Sequence, residues 1–251
     1  MRKHVVVVGK NSPLAEAIAK AANKSNIGVE QVDPKSPLPP ATAAVAGGVD
    51  DIKAMLSVAD QLGQQHEELL RIIAWTGDVR EGFPKGDSDR VHACAAKFGE
   101  FLKLDIEEQL ALERAALVRG IGKFCIPNAV LLKRGLLTHD EWTTLREYPS
   151  FGAEVVSKTS VLKDTEAIIR YYRECHDGTG YPDGLEGDAI PRLAQALLIA
   201  DVFCAMTSLR PYRDTKNSIA DATAYLKAEK GKKFRPDLVE AFLKGRPWQG
   251  K

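Results

Sequence analysis

The 251-residue sequence predicts two domains of different class, a small parallel-sheet α/β domain over residues 1–82 and an all-α domain over residues 83–251. Three observations lead to this division. Up to Gly77, short β-branched or apolar runs alternate with stretches of helical pattern. The stretch Glu81-Gly82-Phe83-Pro84-Lys85-Gly86-Asp87 then breaks the composition with glycine, proline and charge. Beyond it, every apolar pattern has the period of a helix.

In the first domain, His4 to Val8 reads as a buried strand ending at Gly9. Ser12 as N-cap and Pro13 at the first helical position open the helix that follows. Further strands are expected at Gly28 to Val32, Thr42 to Ala46 and Arg71 to Trp75. Between the last two, Val49 to Leu70 carries Ile52, Met55, Leu56, Ala59, Leu62 and Leu69 at helical spacing, a stripe that suits a core face and a homodimer seam equally. His66 falls on that stripe, and without a second ligand type near it a packing role is expected.

This layout resembles a response-regulator receiver domain, truncated, because too little chain remains for a fifth strand and helix. A receiver carries an acidic pair after its first strand and a phosphoacceptor aspartate after its third. Here those positions hold Lys10-Asn11 and Ala46-Gly47, so the resemblance implies a domain that accepts no phosphoryl group. Asp50 and Asp51 come too late and suit a helix start. Gly9-Lys10-Asn11 is neither a dinucleotide fingerprint nor a phosphate-cradling loop.

In the second domain, helices are expected at Ser88 to Leu104, Glu107 to Val118 and Asp140 to Glu147, the last opened by a Thr138/Glu141 capping box. More follow at Phe151 to Lys158, Lys163 to Arg173, Leu193 to Met206, Ser218 to Glu229 and Pro236 to Lys244. The Leu193 to Met206 helix is apolar from Leu197 onward except for Asp201. A carboxylate there must meet a cation, a metal or strong donors, because an isolated buried charge is costly.

A formal net charge of +1 excludes a general attraction for nucleic-acid polymers or anionic membranes. Cys94, Cys125, Cys175 and Cys204 form no CxxC pair or disulfide spacing, as expected of free thiols in a reducing compartment. No apolar run approaches the ~18 residues of a membrane helix. The apolar start, Val5 to Val8, is too short for a signal peptide, and a cytoplasmic protein is expected.

The segment His176 to Arg213 contains DGTGYPDGLEGDAIPRLAQ, IADVF and TSLRPYR. With Ile121-Gly122-Lys123, Ile126-Pro127-Asn128, Tyr148-Pro149-Ser150-Phe151-Gly152 and Phe234-Arg235-Pro236-Asp237, it resembles the HD-GYP family over roughly residues 87 to 244. That family opens cyclic di-GMP at a His/Asp-built metal cluster. The resemblance implies a helical HD-domain-like fold, and places the family's metal ligands at Asp87, Arg119, Gly120, Tyr148, Tyr172, Arg173 and Asp201. Only Asp201 matches by type. Two of these positions are arginines, permanently positive and unable to coordinate a cation.

From the replaced ligands the expectation is a catalytically inactive signalling protein without metal or other cofactor, Arg119 or Arg173 pairing with Asp201. Such a protein would act through contacts with a partner such as a diguanylate cyclase domain, via Gly178, Gly180, Tyr181 and Pro182. One alternative is a metal-free cyclic di-GMP receptor whose phosphate contacts are Lys123, Arg119, Arg173, Arg210 and Arg213, residues that equally suit structural ion pairs. A second is a metal-dependent phosphodiesterase with a rebuilt site. The dipeptides His139-Asp140 and His176-Asp177, and His92, lack metal-ligand spacing, and structural or surface roles are expected.

Overall fold

The computed structural model describes residues 4–8, 28–32, 49–83, 86–209 and 216–249; for 4–8, 28–32, 49–62 and 64 only the backbone is described. The chain divides into two compact units, Met1–Gln64 and Gln65–Lys251.

The described part of the first unit contains β1 (His4–Val8) and β2 (Gly28–Val32), paired in parallel from His4 opposite Gly28 to Val8 opposite Val32. It also holds the start of α1 (Val49–Arg80), a 32-residue helix. The expected receiver-like α/β domain is corrected here. Two paired strands are the whole sheet among the described residues, and the third candidate, 42–46, lies outside them. The fourth, Arg71 to Trp75, lies inside α1. Ile72 and Ile73 favour a strand locally, but Leu70, Ala74 and Asp78 are buried at intervals of four. Docking one helical face outweighs β-propensity, which reflects packing context more than intrinsic backbone preference.

The second unit is helical. It comprises the end of α1, then α2 (Asp87–Leu102), α3 (Ile106–Val118), α4 (Asn128–Leu131), α5 (His139–Arg146), α6 (Tyr148–Ser157), α7 (Glu166–Tyr171), α8 (Arg192–Met206), α9 (Ile219–Ala228) and α10 (Pro236–Gly245). Side chains start three of these helices with capping boxes: Asp105 with Glu108, Thr138 with Glu141, and Ser218 with Asp221. At its C-terminal end α1 is tied down by Arg80, which donates to the Lys123 carbonyl (2.6 Å), the Ile126 carbonyl (2.9 Å) and Asn128 Oδ1 (2.7 Å). The Lys123 carbonyl also accepts the Ile126 N–H at 3.0 Å, so Arg80 clamps a 3₁₀ turn, Ile121–Cys125, that is already capped by its own backbone.

The core is built around α8. Every residue from Ala194 to Cys204 is buried, and α2, α3, α7, α9 and α10 pack against it. A helix apolar all round has no solvent face to offer, so its neighbours must enclose it. Phe98, Phe203, Phe242 and Trp248 fill the far side, with ring centroids 4.7 to 5.4 Å apart. Among the described residues no helix is long and apolar enough to cross a membrane.

Candidate functional site

Asp201 emerges from α8 into a group of side chains carried by the ends of other helices. Arg119, the C-terminal cap of α3, donates from Nε to Asp201 Oδ1 at 2.7 Å. Arg173, just past α7, donates from Nη2 to Asp201 Oδ2 at 2.8 Å. Each oxygen of the carboxylate therefore holds its own guanidinium. The remaining nitrogens of Arg119 reach the Ala116 carbonyl (2.9 Å), Ser88 Oγ (3.2 Å) and Asp87 Oδ2 (3.4 Å). Asp87 also accepts from Arg90, and the Ser88 hydroxyl donates onward to Asp78 Oδ1 at 2.8 Å.

A second chain of bonds leaves Arg173. Its Nε donates to Tyr148 Oη at 2.5 Å, Tyr148 and Tyr172 hydroxyls lie 2.7 Å apart, and Tyr172 donates to the Arg119 carbonyl at 3.1 Å. A guanidinium can only donate and a carbonyl can only accept, so the direction is forced: Arg173 to Tyr148 to Tyr172 to Arg119. The guanidinium of Arg173 also lies 4.7 Å from the Tyr172 ring centroid, within cation–π range.

Burial and charge shape the titration of this group. Burial alone would raise the Asp201 carboxyl, but Arg173 and Arg119 outweigh it and hold the group far below the ordinary carboxylate range. Burial lowers both guanidinium pKa values, and the facing acid and phenols more than offset it, so both arginines stay charged. The Tyr172 phenol is pushed up to about 12, chiefly by burial, and Tyr148 is also raised well above its ordinary value. Both tyrosines are therefore neutral hydrogen-bonding groups near neutral pH.

Beside this cluster lies a cavity of about 490 Å³, walled by Arg119, Arg173, Asp201, Lys123, Phe83 and Phe124 among others. Its size is within the usual range for small-molecule sites. Lys123 pairs with Glu81 at 2.7 Å and lies near the Phe83 and Tyr148 rings. Arg173 is the opposite case: its side chain is 25 % exposed, and Nη1 takes no hydrogen-bond partner among the described residues. Arg210 and Arg213 lie outside the described residues.

Gly120 caps the start of the 3₁₀ turn, its carbonyl accepting from the Lys123 N–H at 3.0 Å, and brings no side chain to the site. The loop of Gly178, Gly180, Tyr181 and Pro182 does not line the cavity. It folds instead on Glu174, which is 1 % exposed and accepts from the backbone N–H groups of Asp183 (2.8 Å), Gly184 (3.1 Å) and Leu185 (3.2 Å). Tyr181 is partly buried under the Arg146 guanidinium. Removing the anchor, Glu174→Ala, is expected to cost about 2–3 kcal/mol. It should also open the loop to limited proteolysis, to be read as faster cleavage after residues 177–186.

His92 contacts Arg71 and Glu113, His139 and Asp140 are exposed at the start of α5, and Asp177 bonds Thr179. None of them joins Asp201. Sequence reading missed Asp78 and Ser88, which extend the cluster from the end of α1 and the start of α2, and Glu81, which pairs with Lys123. A buried acid ten residues ahead of a serine gives no local signal, so only the fold could reveal them.

Residues 76–238 match the family model described as HD domain. The chain belongs to the HD domain family. Among curated relatives of this HD domain protein, a cyclic di-GMP phosphodiesterase response regulator, RpfG, of Xanthomonas campestris is 37 % identical over 194 residues, covering 76 % of this chain and 51 % of that protein. A cyclic di-GMP phosphodiesterase of Thermotoga maritima is 31 % identical over 179 residues, covering 70 % and 48 %. The chain thus spans about half the length of these relatives. In fold it is similar to a crystal structure of a cyclic GMP-AMP-specific phosphodiesterase from Vibrio cholerae, with a TM-score of 0.55 and 22 % identity, over 70 % of this chain and 47 % of that one.

These relatives correct the expectation of a catalytically inactive, non-enzymatic protein acting through partner contacts. Proteins at 31–37 % identity are named phosphodiesterases. The replaced ligands on which that expectation rested show how this site differs, not that activity is lost. The multi-metal cluster implied by the HD-GYP resemblance nonetheless does not fit the residues in place. Both oxygens of Asp201 are taken by guanidinium groups, and no three His, Cys, Asp or Glu side chains converge on a metal position among the described residues.

Proposed function

We propose that this HD domain protein binds a cyclic dinucleotide in the 490 Å³ cavity, using Arg173 as its first phosphate contact. The observation that carries this reading is the posture of Arg173. Tyr148 and Asp201 fix two of its nitrogens, and Nη1 of this cavity-lining arginine takes no hydrogen-bond partner among the described residues. A guanidinium held in place offers phosphate a directed, charge-assisted bond without first losing side-chain freedom. Phe124, 45 % exposed on the cavity wall, supplies an apolar ring against which a nucleobase can stack. Lys123 is a weaker candidate, since a phosphate must share it with Glu81. We assign Arg210 and Arg213 as further phosphate contacts and Arg119 as a structural partner of Asp201.

A second reading, hydrolysis of the bound phosphodiester, is favoured by the names of the relatives: cyclic di-GMP phosphodiesterases and, from Vibrio cholerae, a 3′3′-cGAMP-specific phosphodiesterase. One pair of experiments tests both. Calorimetric titration with cyclic di-GMP and with 3′3′-cGAMP is expected to give micromolar binding, weakened by about tenfold or more in Arg173→Ala. Absence of binding to both ligands would overturn the receptor reading. Incubation of the same protein with each dinucleotide and manganese or iron, followed by chromatography, decides the second. A linear dinucleotide that disappears in Arg173→Ala would establish hydrolysis at this site.

A further inference from the structure

The outer face of α1 is apolar where a solvent-facing helix should be polar. Its inner face is docked through Leu70, Ala74 and Asp78. On the other side Leu69 and Ile72 are each 58 % exposed, Val79 53 % and Trp75 49 %. Together they leave an apolar strip on the order of 400 Å², the size of the largest apolar patch on a typical folded protein, which is often functional.

The spacing identifies the occupant. Leu69, Ile72, Thr76 and Val79 follow one another at intervals of three, four and three residues, the alternation of core positions in a coiled coil. The same repeat runs upstream in the sequence through Met55, Val58, Leu62 and Gln65. Six of these eight positions are apolar, over four heptads, and an isolated surface helix has no need of a 3.5-residue period. What a 3.5-residue seam fits is another helix with the same period, and the helix certain to carry it at equal concentration is α1 of a second copy. Face-to-face contact of two such strips buries about 800 Å², short of the ~1,000 Å² of a specific interface, and the upstream heptads of the same repeat supply the rest.

We infer that the Leu69–Ile72–Thr76–Val79 face of α1 is a self-association surface joining two copies of this chain. Light scattering or sedimentation equilibrium of the full chain is expected to return twice the 27.4 kDa protomer mass. Both Leu69 and Ile72 are exposed in the protomer, so the double variant Leu69→Glu/Ile72→Glu should keep its helical circular dichroism. Its self-association is expected to weaken by about 100-fold or more, because the charges fall at the centre of the seam. Leu136→Glu, at a residue 95 % exposed outside α1, should leave the dimer intact. A wild-type protein that stays monomeric at about 100 µM would overturn the inference, since contacts weaker than that are below specific association. So would a dimer that persists in Leu69→Glu/Ile72→Glu, or in Val79→Glu should the double variant lose its helical signal.

Discussion

Asp201→Asn is expected to destabilise the helical unit by about 3–5 kcal/mol, the cost of leaving a buried ion pair with one partner removed. Asp201 is 5 % exposed and Arg119 8 %. Asparagine keeps the shape but not the charge, so two guanidinium groups would remain beside a neutral amide. A loss of that size is a large part of the ordinary 5–15 kcal/mol stability of a domain of this class. Urea denaturation measures it directly, as a lowered midpoint with an unchanged slope. The pH dependence supplies an independent signature. The folded-state pKa of Asp201 lies below its unfolded value, so its contribution is fully present above the unfolded carboxyl value of about 4. That contribution declines as pH falls from there toward the folded pKa. Wild-type stability should therefore fall steeply below about pH 4, and Asp201→Asn should flatten that limb. An Asp201→Asn protein as stable as the wild type would show that Asp87 and solvent suffice for both arginines.

The second large effect is expected from Gly122→Ala. A methyl group at Gly122 would lie 1.8 Å from the Tyr148 carbonyl oxygen and 2.4 Å from the Gly152 nitrogen, both backbone atoms that cannot rotate away. The 3₁₀ turn Ile121–Cys125 must then move off α6, carrying Lys123 and the floor of the cavity with it. A loss of about 3 kcal/mol or more is expected, at the upper end for overpacking because the clash is with backbone. Gly152→Ala provides the contrast. There the added carbon meets first the Ile169 side chain at 2.9 Å, which can shift, and a loss of about 1 kcal/mol is expected. Thermal melts of the two variants should differ in that order, and equal losses would mean that the 3₁₀ turn is free to slide.

These two expectations show how unevenly the molecule could be read from its sequence. Helix positions in residues 87–245 follow from apolar period and capping residues, as the Thr138/Glu141 box illustrates. Arg71 to Trp75 shows where local reading fails. Two adjacent isoleucines outweighed the i, i+4 pattern of Leu70, Ala74 and Asp78, whose burial only the neighbouring helices could reveal. The site was legible in part for a similar reason. Asp201, alone on an apolar helix, announced its need for a partner. That Arg119 and Arg173 both answer it, one at each oxygen, depends on where α3 and α7 end in space.

The sequence by itself determined the helical character of residues 87–245, the likeness to the HD-GYP family, and the requirement that Asp201 be paired. Those properties rest on period, composition and the cost of burying a charge, all of them local. Tertiary structure decided that Arg71 to Trp75 is helix, that Asp78 and Ser88 extend the charge cluster, that Glu81 pairs with Lys123, and that Tyr148 and Tyr172 carry a one-way chain of hydrogen bonds. It also decided that Arg173 lines the cavity with one nitrogen unpartnered among the described residues. Apart from the helix, each depends on groups 10 to 53 residues apart meeting within hydrogen-bond reach, and chain neighbours carry no record of such a meeting.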